Sequence, residues 1–320
     1  MIFPRVMIAV VIPCFRVKSQ VESVIARIGL EVSHVFVVDD KCPESTGLHV
    51  EQNCKDPRVK VLFHEKNQGV GGATLTGFRA ALSVGADIIV KVDGDGQIPP
   101  EKISSLIAPI QKGQADFAKG NRFYRPEYLQ TMPIQRLLGN STLSFMSKIS
   151  SGYWSVMDPT NGFIAIHRKA LELLPLDNVD KTYFFESEML FRLSTIRAVV
   201  RDVPMPSYYG DEKSNLRILK IILPFLVKHK ICFLKRIFYS YFLRDFNLAS
   251  IQFLFSMVFI AAGVIFGSWH WYLSSLEGSL ASSGTVMVAT LPILLGFQLL
   301  LFAVNYDILS EPKHALHPQL

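Results

Sequence analysis

Two stretches near the carboxyl terminus, about Asn247 to Leu276 and Gly278 to Tyr306, contain no Asp, Glu, Lys or Arg. Each contains a run longer than the roughly 20 helical residues that span the ~30 Å hydrocarbon core of a bilayer. Two membrane crossings are therefore expected, near residues 248–268 and 285–307. A pair of buried helices in a soluble fold is the competing reading. The position of the runs at the end of the chain, behind a basic lead-in, favours the membrane.

That lead-in fixes an orientation. From Asp211 to Phe246, Lys213, Arg217, Lys220, Lys228, Lys230, Lys235, Arg236 and Arg244 stand against Asp211, Glu212 and Asp245. The roughly 15-residue connection between the crossings carries only Glu277, with His270, Trp269 and Trp271. Basic residues stay on the cytoplasmic side and tryptophans collect at interfaces, so both chain ends are expected in the cytoplasm. The net charge of +6 has its largest cluster beside the apolar hairpin. Anionic lipid headgroups are therefore the expected partner, and nucleic acid is not.

The first 110 residues alternate short apolar runs with helical patterns. Strands are expected at Val6–Ile12, His34–Val38, Val59–Phe63 and Asp87–Val92, with helices near Ser19–Leu30 and Ala73–Val84 and another opening at Pro99-Pro100. This alternation predicts an α/β domain with a largely parallel sheet. From Ala115 to about Tyr209 short strands, long polar loops and one helix near Glu186–Arg197 are expected, and Leu216–Phe246 reads as amphipathic and membrane-surface.

Two carboxylate clusters end two of these strands. Asp93 and Asp95, followed by Gln97, close the run Ile88–Val92. Residues i and i+2 of extended backbone point the same way, so the pair can converge on a hard divalent cation, Mg2+ or Mn2+, shared with substrate phosphates. Asp39 and Asp40 end the second strand and fall on the same edge, where they suit the base or ribose of a nucleotide. Helix caps or solvated turns would also account for each cluster taken alone.

Asn67-Gln68-Gly69-Val70-Gly71-Gly72-Ala73 follows the third strand, which excludes the dinucleotide fingerprint, and lacks the Gly-Lys-Ser/Thr of a P-loop. Close approach of a ligand and a purely structural turn both remain open for it. Asp158-Pro159-Thr160-Asn161-Gly162-Phe163 is a polar turn entering the strand-like Phe163–His167, after which Arg168 supplies a cation. Glu186 and Glu188 open a helix, where the dipole alone could favour them. Arg122 and Lys213 could neutralise a phosphate. Cys14, Cys42, Cys54 and Cys232 have no zinc or redox spacing, and the histidines show no metal pair.

In family order over residues 6–215, the chain resembles family-2 inverting glycosyltransferases of the GT-A fold. The branch is that of membrane-anchored polyprenyl-phosphate sugar transferases, which includes dolichol-phosphate mannose synthase. The resemblance rests on Val11-Ile12-Pro13-Cys14-Phe15, Val37-Val38-Asp39-Asp40, Asn67-Gln68-Gly69 with Gly77-Phe78, and Asp93-Gly94-Asp95-Gly96-Gln97 with Pro99-Pro100. Gly162-Phe163, Glu186/Glu188 and Gly210 through Ser214 complete it. Asn161 and Lys41 stand where relatives more often carry Ser.

The resemblance implies a nucleotide-sugar donor, with Pro13, Asp39, Asp40, Asn67, Gly69 and Asp93 in its site. It implies that Asp93, Asp95 and Gln97 hold Mg2+ or Mn2+, and that Arg122 and Lys213 approach donor or acceptor phosphate. Direct displacement at the anomeric carbon with inversion is expected. A polyprenyl phosphate acceptor is already anionic, whereas a hydroxyl on a lipid-linked glycan would need Glu186 or Asp158 as base. A non-catalytic membrane scaffold with a nucleotide pocket is the reading outside enzymes.

The expected layout is a catalytic domain over 1–215, amphipathic surface helices over 216–246, two transmembrane helices over 247–310 and a cytoplasmic tail over 311–320. An inner (cytoplasmic) membrane location is expected, with the catalytic domain in the cytoplasm. Homo-oligomerisation is left open.

Overall fold

The computed structural model describes residues 6–129, 132, 134–206 and 218–320. Seven strands form one sheet: β1 (Ile8–Cys14), β2 (His34–Asp39), β3 (Val59–Phe63), β4 (Ile88–Lys91), β5 (Phe117–Asn121), β6 (Ile164–His167) and β7 (Val200–Pro204). Their order is β3-β2-β1-β4-β6-β5-β7. All pairings are parallel except those of β6, which runs antiparallel to both β4 and β5. Because β6 runs backwards, the Asn161–Phe163 turn that precedes it lies at the carboxyl ends of β1, β2, β4 and β5.

Helices cover both faces, and the strands feed two cores by alternation. Val10, Ile12, Val35, Val37, Ile88 and Val90 face α1 (Val21–Ala26) and α4 (Ile103–Gln111). Ala9, Val11, Phe36, Val38 and Ile89 face α3 (Gly69–Ser83) and α7 (Phe185–Thr195). α2 (Thr46–Asn53) follows β2, and α6 (Arg168–Glu172) follows β6.

The helices depart from expectation in three places. The Gly-rich segment is itself the first turn of α3, which starts at Gly69 rather than near Ala73. An 18-residue helix, α5 (Ile134–Ser151), occupies a stretch expected to be loops. The first apolar helix also runs further than expected, so Trp269, Trp271 and Glu277 are helical and only residues 278–282 connect it to the second.

The chain divides into two compact units, Met1–Phe233 with Pro312–Leu320, and Leu234–Glu311. α8 (Ile218–Ile237) begins in the first unit. There its Lys228 pairs with Asp180, and His229 Nδ1 lies 2.8 Å from Ser150 Oγ. The closing residues, expected as a tail, pack into this same unit. Leu316 and His317 donate backbone N–H groups to the buried Asp116 carboxylate at 2.9 Å, and the His317 ring stacks on His167 at 4.1 Å.

The second unit holds a π-helical turn, Phe238–Arg244, then α9 (Leu248–Glu277) and α10 (Ser283–Leu309). Both helices are long and apolar enough to cross a membrane. Asn247 caps α9 by accepting from the backbone of Ala249 and Ser250. A Cβ at Gly263 would meet Ala289 O at 2.7 Å, and one at Gly296 would meet Ile260 and Ser256 backbone atoms at 3.0 Å. These small residues let α9 and α10 approach each other closely. At the end of α10, Asp307 accepts from Arg236 at 2.6 Å and from Tyr241 at 2.6 Å.

Candidate active site

At the end of β4 an apolar strand delivers a lysine. Lys91 is 1 % exposed, and its Nζ donates to Asp93 Oδ1 at 2.7 Å, Gly162 O at 3.2 Å and Glu186 Oε1 at 3.3 Å. Burial alone would lower its pKa, but the charges of Asp93 and Glu186 and the hydrogen bonds to both raise it above the ordinary lysine value. The ammonium is thus fixed as a cation. Glu186, on the first turn of α7, is pushed above the ordinary carboxylate value by burial and by Asp93, with Lys91 pulling the other way. Gly162 makes this contact possible: a Cβ there would sit 2.1 Å from Asp93 Oδ2 and 2.5 Å from Lys91 Nζ.

The Asp93 side chain is 36 % exposed. One oxygen is held by Lys91; the other accepts no hydrogen bond from any described residue. Asp95 Oδ1 accepts the Gln97 backbone N–H at 3.0 Å across a turn in which Gly96 takes a left-handed φ of +71°. The donor set is two carboxylates and an amide, oxygen ligands suited to a hard divalent ion. Among the described residues no group of three or more His, Cys, Asp or Glu side chains is assembled to hold a metal ion.

The neighbouring pair is built differently. Asp39 is 4 % exposed and Asp40 2 %. Asp39 accepts the backbone N–H groups of Cys42 at 2.7 Å and Gly47 at 2.6 Å, the latter in the first turn of α2. Asp40 accepts His64 Nδ1 at 2.7 Å, Gln68 N at 2.7 Å and Gly69 N at 2.8 Å. These contacts tie β2 to the starts of α2 and α3. Asn67, expected at the donor, donates its amide to Asp40 O at 3.1 Å. Pro13 lies within β1, paired in register with Val38.

The glycines opening α3 admit protein backbone. A Cβ at Gly69 (φ +86°) would meet Lys181 O at 2.5 Å, and one at Gly71 would meet Asp180 O at 2.5 Å. That close approach lets the loop before α7 close on α3, with Gly72 N donating to Lys181 O. Glu188 fastens the same loop by accepting Asp180 N at 2.9 Å.

A second buried lysine anchors the other side. Lys119, in β5 and 1 % exposed, donates to Met157 O at 2.7 Å and Asp158 O at 2.6 Å, and lies 3.7 Å from Asp202. Asp158 is fully buried, with a left-handed φ of +56°, and it accepts a two-pronged contact from Arg122 at 2.7 and 2.6 Å. Burial would raise its pKa, but the Arg122 guanidinium and Lys119 hold it below the ordinary carboxylate value. Asn161 adds a further donor at 3.2 Å. Asp158 and Arg122 are therefore partners rather than independent groups.

Asp39, Asp40, Asp93, Asp95, Arg122, Asp158 and Glu186 all belong to strand ends, loops or helix starts at this edge. Lys213, with Gly210–Ser214, lies outside the described residues. Lys91 and Lys119 are not among the residues expected from sequence. The available signal was a lysine inside an apolar strand, Val90-Lys91-Val92 and Ala118-Lys119-Gly120.

The chain is similar to several known proteins. A dolichyl-phosphate N-acetylglucosaminyltransferase of Methanococcus voltae, which uses UDP-N-acetylglucosamine, is 28% identical over 72% of this chain and 96% of its own. The polyprenol monophosphomannose synthase of Mycolicibacterium smegmatis is 32% identical over 61% of this chain and 75% of its own. An undecaprenyl-phosphate mannosyltransferase of Micrococcus luteus is 31% identical, over 54% and 71%. In fold, the chain resembles glucosyl-3-phosphoglycerate synthase of Mycobacterium tuberculosis, solved with Mn2+, UDP-glucose and phosphoglyceric acid. The TM-score is 0.53 at 19% identity, covering 72% of this chain and 79% of that one. The α/β architecture is thus GT-A-like. Residues 9–174, more than half of the sequence, match glycosyl transferase family 2, and the chain is a glycosyltransferase belonging to that family.

Proposed function

We propose that the protein transfers a sugar, with inversion, from a nucleotide-sugar donor to a polyprenyl phosphate at the cytoplasmic face of a membrane. The observation that carries this reading is the state of the two candidate bases. Glu186 is ion-paired to Lys91 at 3.3 Å, and Asp158 is held in the fork of Arg122. A hydroxyl acceptor needs a group to take its proton. A phosphate monoester is already anionic and needs none. The relatives support the same acceptor class, since their names pair one kind of lipid phosphate with different sugars.

In this mechanism an acceptor phosphate oxygen attacks the anomeric carbon from the face opposite the nucleotide. The bond from that carbon to the diphosphate oxygen breaks, and its electron pair leaves with the nucleoside diphosphate. Asp93, Asp95 and Gln97 would hold a Mg2+ or Mn2+, which when bound supplies Lewis-acid stabilisation of the leaving diphosphate. Gly162 keeps the Asp93 carboxylate close under the site. The basic residues preceding α9 and the uncharged 278–282 connection favour both ends of the hairpin in the cytoplasm, where nucleotide sugars are made.

The test is a donor-by-acceptor assay. Full-length protein in detergent is given Mg2+ or Mn2+, a panel of UDP- and GDP-sugars, and undecaprenyl phosphate. The expected product is a mass-resolved polyprenyl-phosphate sugar. Donor use only with a hydroxyl-bearing lipid-linked glycan would overturn the acceptor and require Glu186 or Asp158 to leave its partner.

A further inference from the structure

Lys91 is placed so that it can touch neither donor nor acceptor freely. It is buried, and each of its three ammonium protons has an acceptor: Asp93 Oδ1, Gly162 O and Glu186 Oε1. An apolar residue would suit the strand interior equally well. A buried ion pair is weak as a source of stability, because removing both charges from water offsets much of their attraction. The lysine therefore calls for a reason in the site it supports.

Resting on the metal-dependent transfer just proposed, we propose that Lys91 is a built-in counter-charge on the Asp93/Asp95 edge. It keeps that edge from gripping a divalent cation by itself, so the cation is held firmly only together with a nucleoside diphosphate. Geometry and charge agree on this. Lys91 takes Asp93 Oδ1, which leaves the carboxylate one oxygen for a cation and prevents a two-oxygen grip. With Glu186 ionised, Asp93, Asp95 and Glu186 carry three negative charges, and Lys91 reduces the sum to two. The diphosphate restores the missing negative ligands when it binds. When the product diphosphate leaves, the cation leaves with it, and the site is ready for the next donor. Gly162 is an independent sign that the contact is built in, since any side chain there would push into both Asp93 Oδ2 and Lys91 Nζ.

The experiment measures binding of Mn2+ alone to full-length protein in detergent, following the free aqueous Mn2+ signal by electron paramagnetic resonance. K91M is expected to bind Mn2+ about tenfold more tightly than wild type, the direction Coulomb's law requires for loss of an adjacent cation. E186Q is expected to bind it more weakly. K91M/E186Q removes one charge of each sign but frees Asp93 Oδ1, and is expected to remain tighter than wild type. Added UDP or GDP should narrow the gap between K91M and wild type. K91M binding no tighter than wild type overturns the proposal. Where K91M fails to fold because Glu186 has lost its partner, K91M/E186Q decides in the same way. A wild type that binds no Mn2+ even with UDP or GDP and turns over no donor overturns the transferase reading itself.

Discussion

Asp39/Asp40 and Asp93/Asp95 end strands that both flank β1, yet the molecule uses the two pairs differently. The first pair is sealed. Its carboxylates accept N–H groups from Cys42, Gly47, His64, Gln68 and Gly69, and little of either residue reaches solvent. The second is half open, with Lys91 on one oxygen of Asp93 and a left-handed Gly96 turning the chain away. Acidic residues at a strand end are thus not a site by themselves. What decides is whether the next helices fold back to present their unpaired N-terminal N–H groups. After β2 the start of α2 does so directly and the start of α3 does so from beyond β3; Asp93 after β4 takes instead the side chain of Lys91.

The same substitution on either side tests this contrast. Asp95→Asn is expected to lower metal-dependent turnover by about 10³-fold, on the order of other losses of transition-state charge stabilisation, with the melting temperature nearly unchanged. A matching loss of stability would make Asp95 a structural residue. Asp40→Asn places an amide against N–H donors and the His64 ring. It is expected to cost about 3 kcal/mol of folding stability, read by denaturant unfolding, while the folded fraction keeps its activity. If Asp40→Asn stays as stable as wild type but loses nucleotide binding, the contrast fails.

Asp158→Asn is expected to cost about 2 kcal/mol, because it leaves Arg122 without its carboxylate. Its pH dependence has a defined sign. The Asp158 pKa is lower in the folded state than its ordinary 3.8, so the unfolded chain binds the proton more readily. The stabilisation is complete above the ordinary value and is lost as pH falls through the lower folded one. Stabilities of wild type and Asp158→Asn should therefore begin to approach each other below about pH 4 and meet only below the folded value.

The smallest expected effect is at the closing residues. Burial, then the charge of the stacked His317, lowers the His167 pKa from 6.5 to about 4. Between those values the unfolded chain holds the proton that the folded chain lacks, so stability falls as pH drops from 6.5 toward 4. His167 is only half-buried, and solvent screening limits the loss to about 1 kcal/mol. Amide exchange at Leu316 and His317, corrected for intrinsic rates, should be faster at the acid end. An unchanged pH response in His167→Phe would assign the effect elsewhere.

The sequence made some of this plain. The inner strands of the first half, β1, β2 and β4, are runs of Val and Ile, because a strand buried on both faces must be apolar; β3, at the sheet edge with Lys60 and Phe63 exposed, still falls where its apolar residues put it. α5 was hidden by its composition. Ser144, Ser147, Ser150 and Ser151 are buried in its contacts, and serine is a poor helix former, so local propensity argued for loops. The Gly-rich start of α3 gave a turn signal although it is helical, since its glycines serve the close approach of the Asp180–Lys181 backbone. Glu186 and Asp158 read as isolated acids. Their basic partners sit in β4 and beside β5, and no local pattern announces either pairing.

By itself the sequence determined the alternation of strands and helices, the carboxylates at two strand ends and the paired apolar helices. These follow from periodicity, side-chain length and the thickness of a bilayer, which act over a few residues at a time. Only the tertiary structure decided which carboxylates are sealed, which are paired and which face solvent. Lys91 meets Glu186 across 95 positions, Asp40 meets His64 across 24, and Asp116 meets the closing residues across 200. Desolvation and charge pairing depend on neighbours in space, so the chemistry of each acid was fixed when the sheet brought those neighbours together.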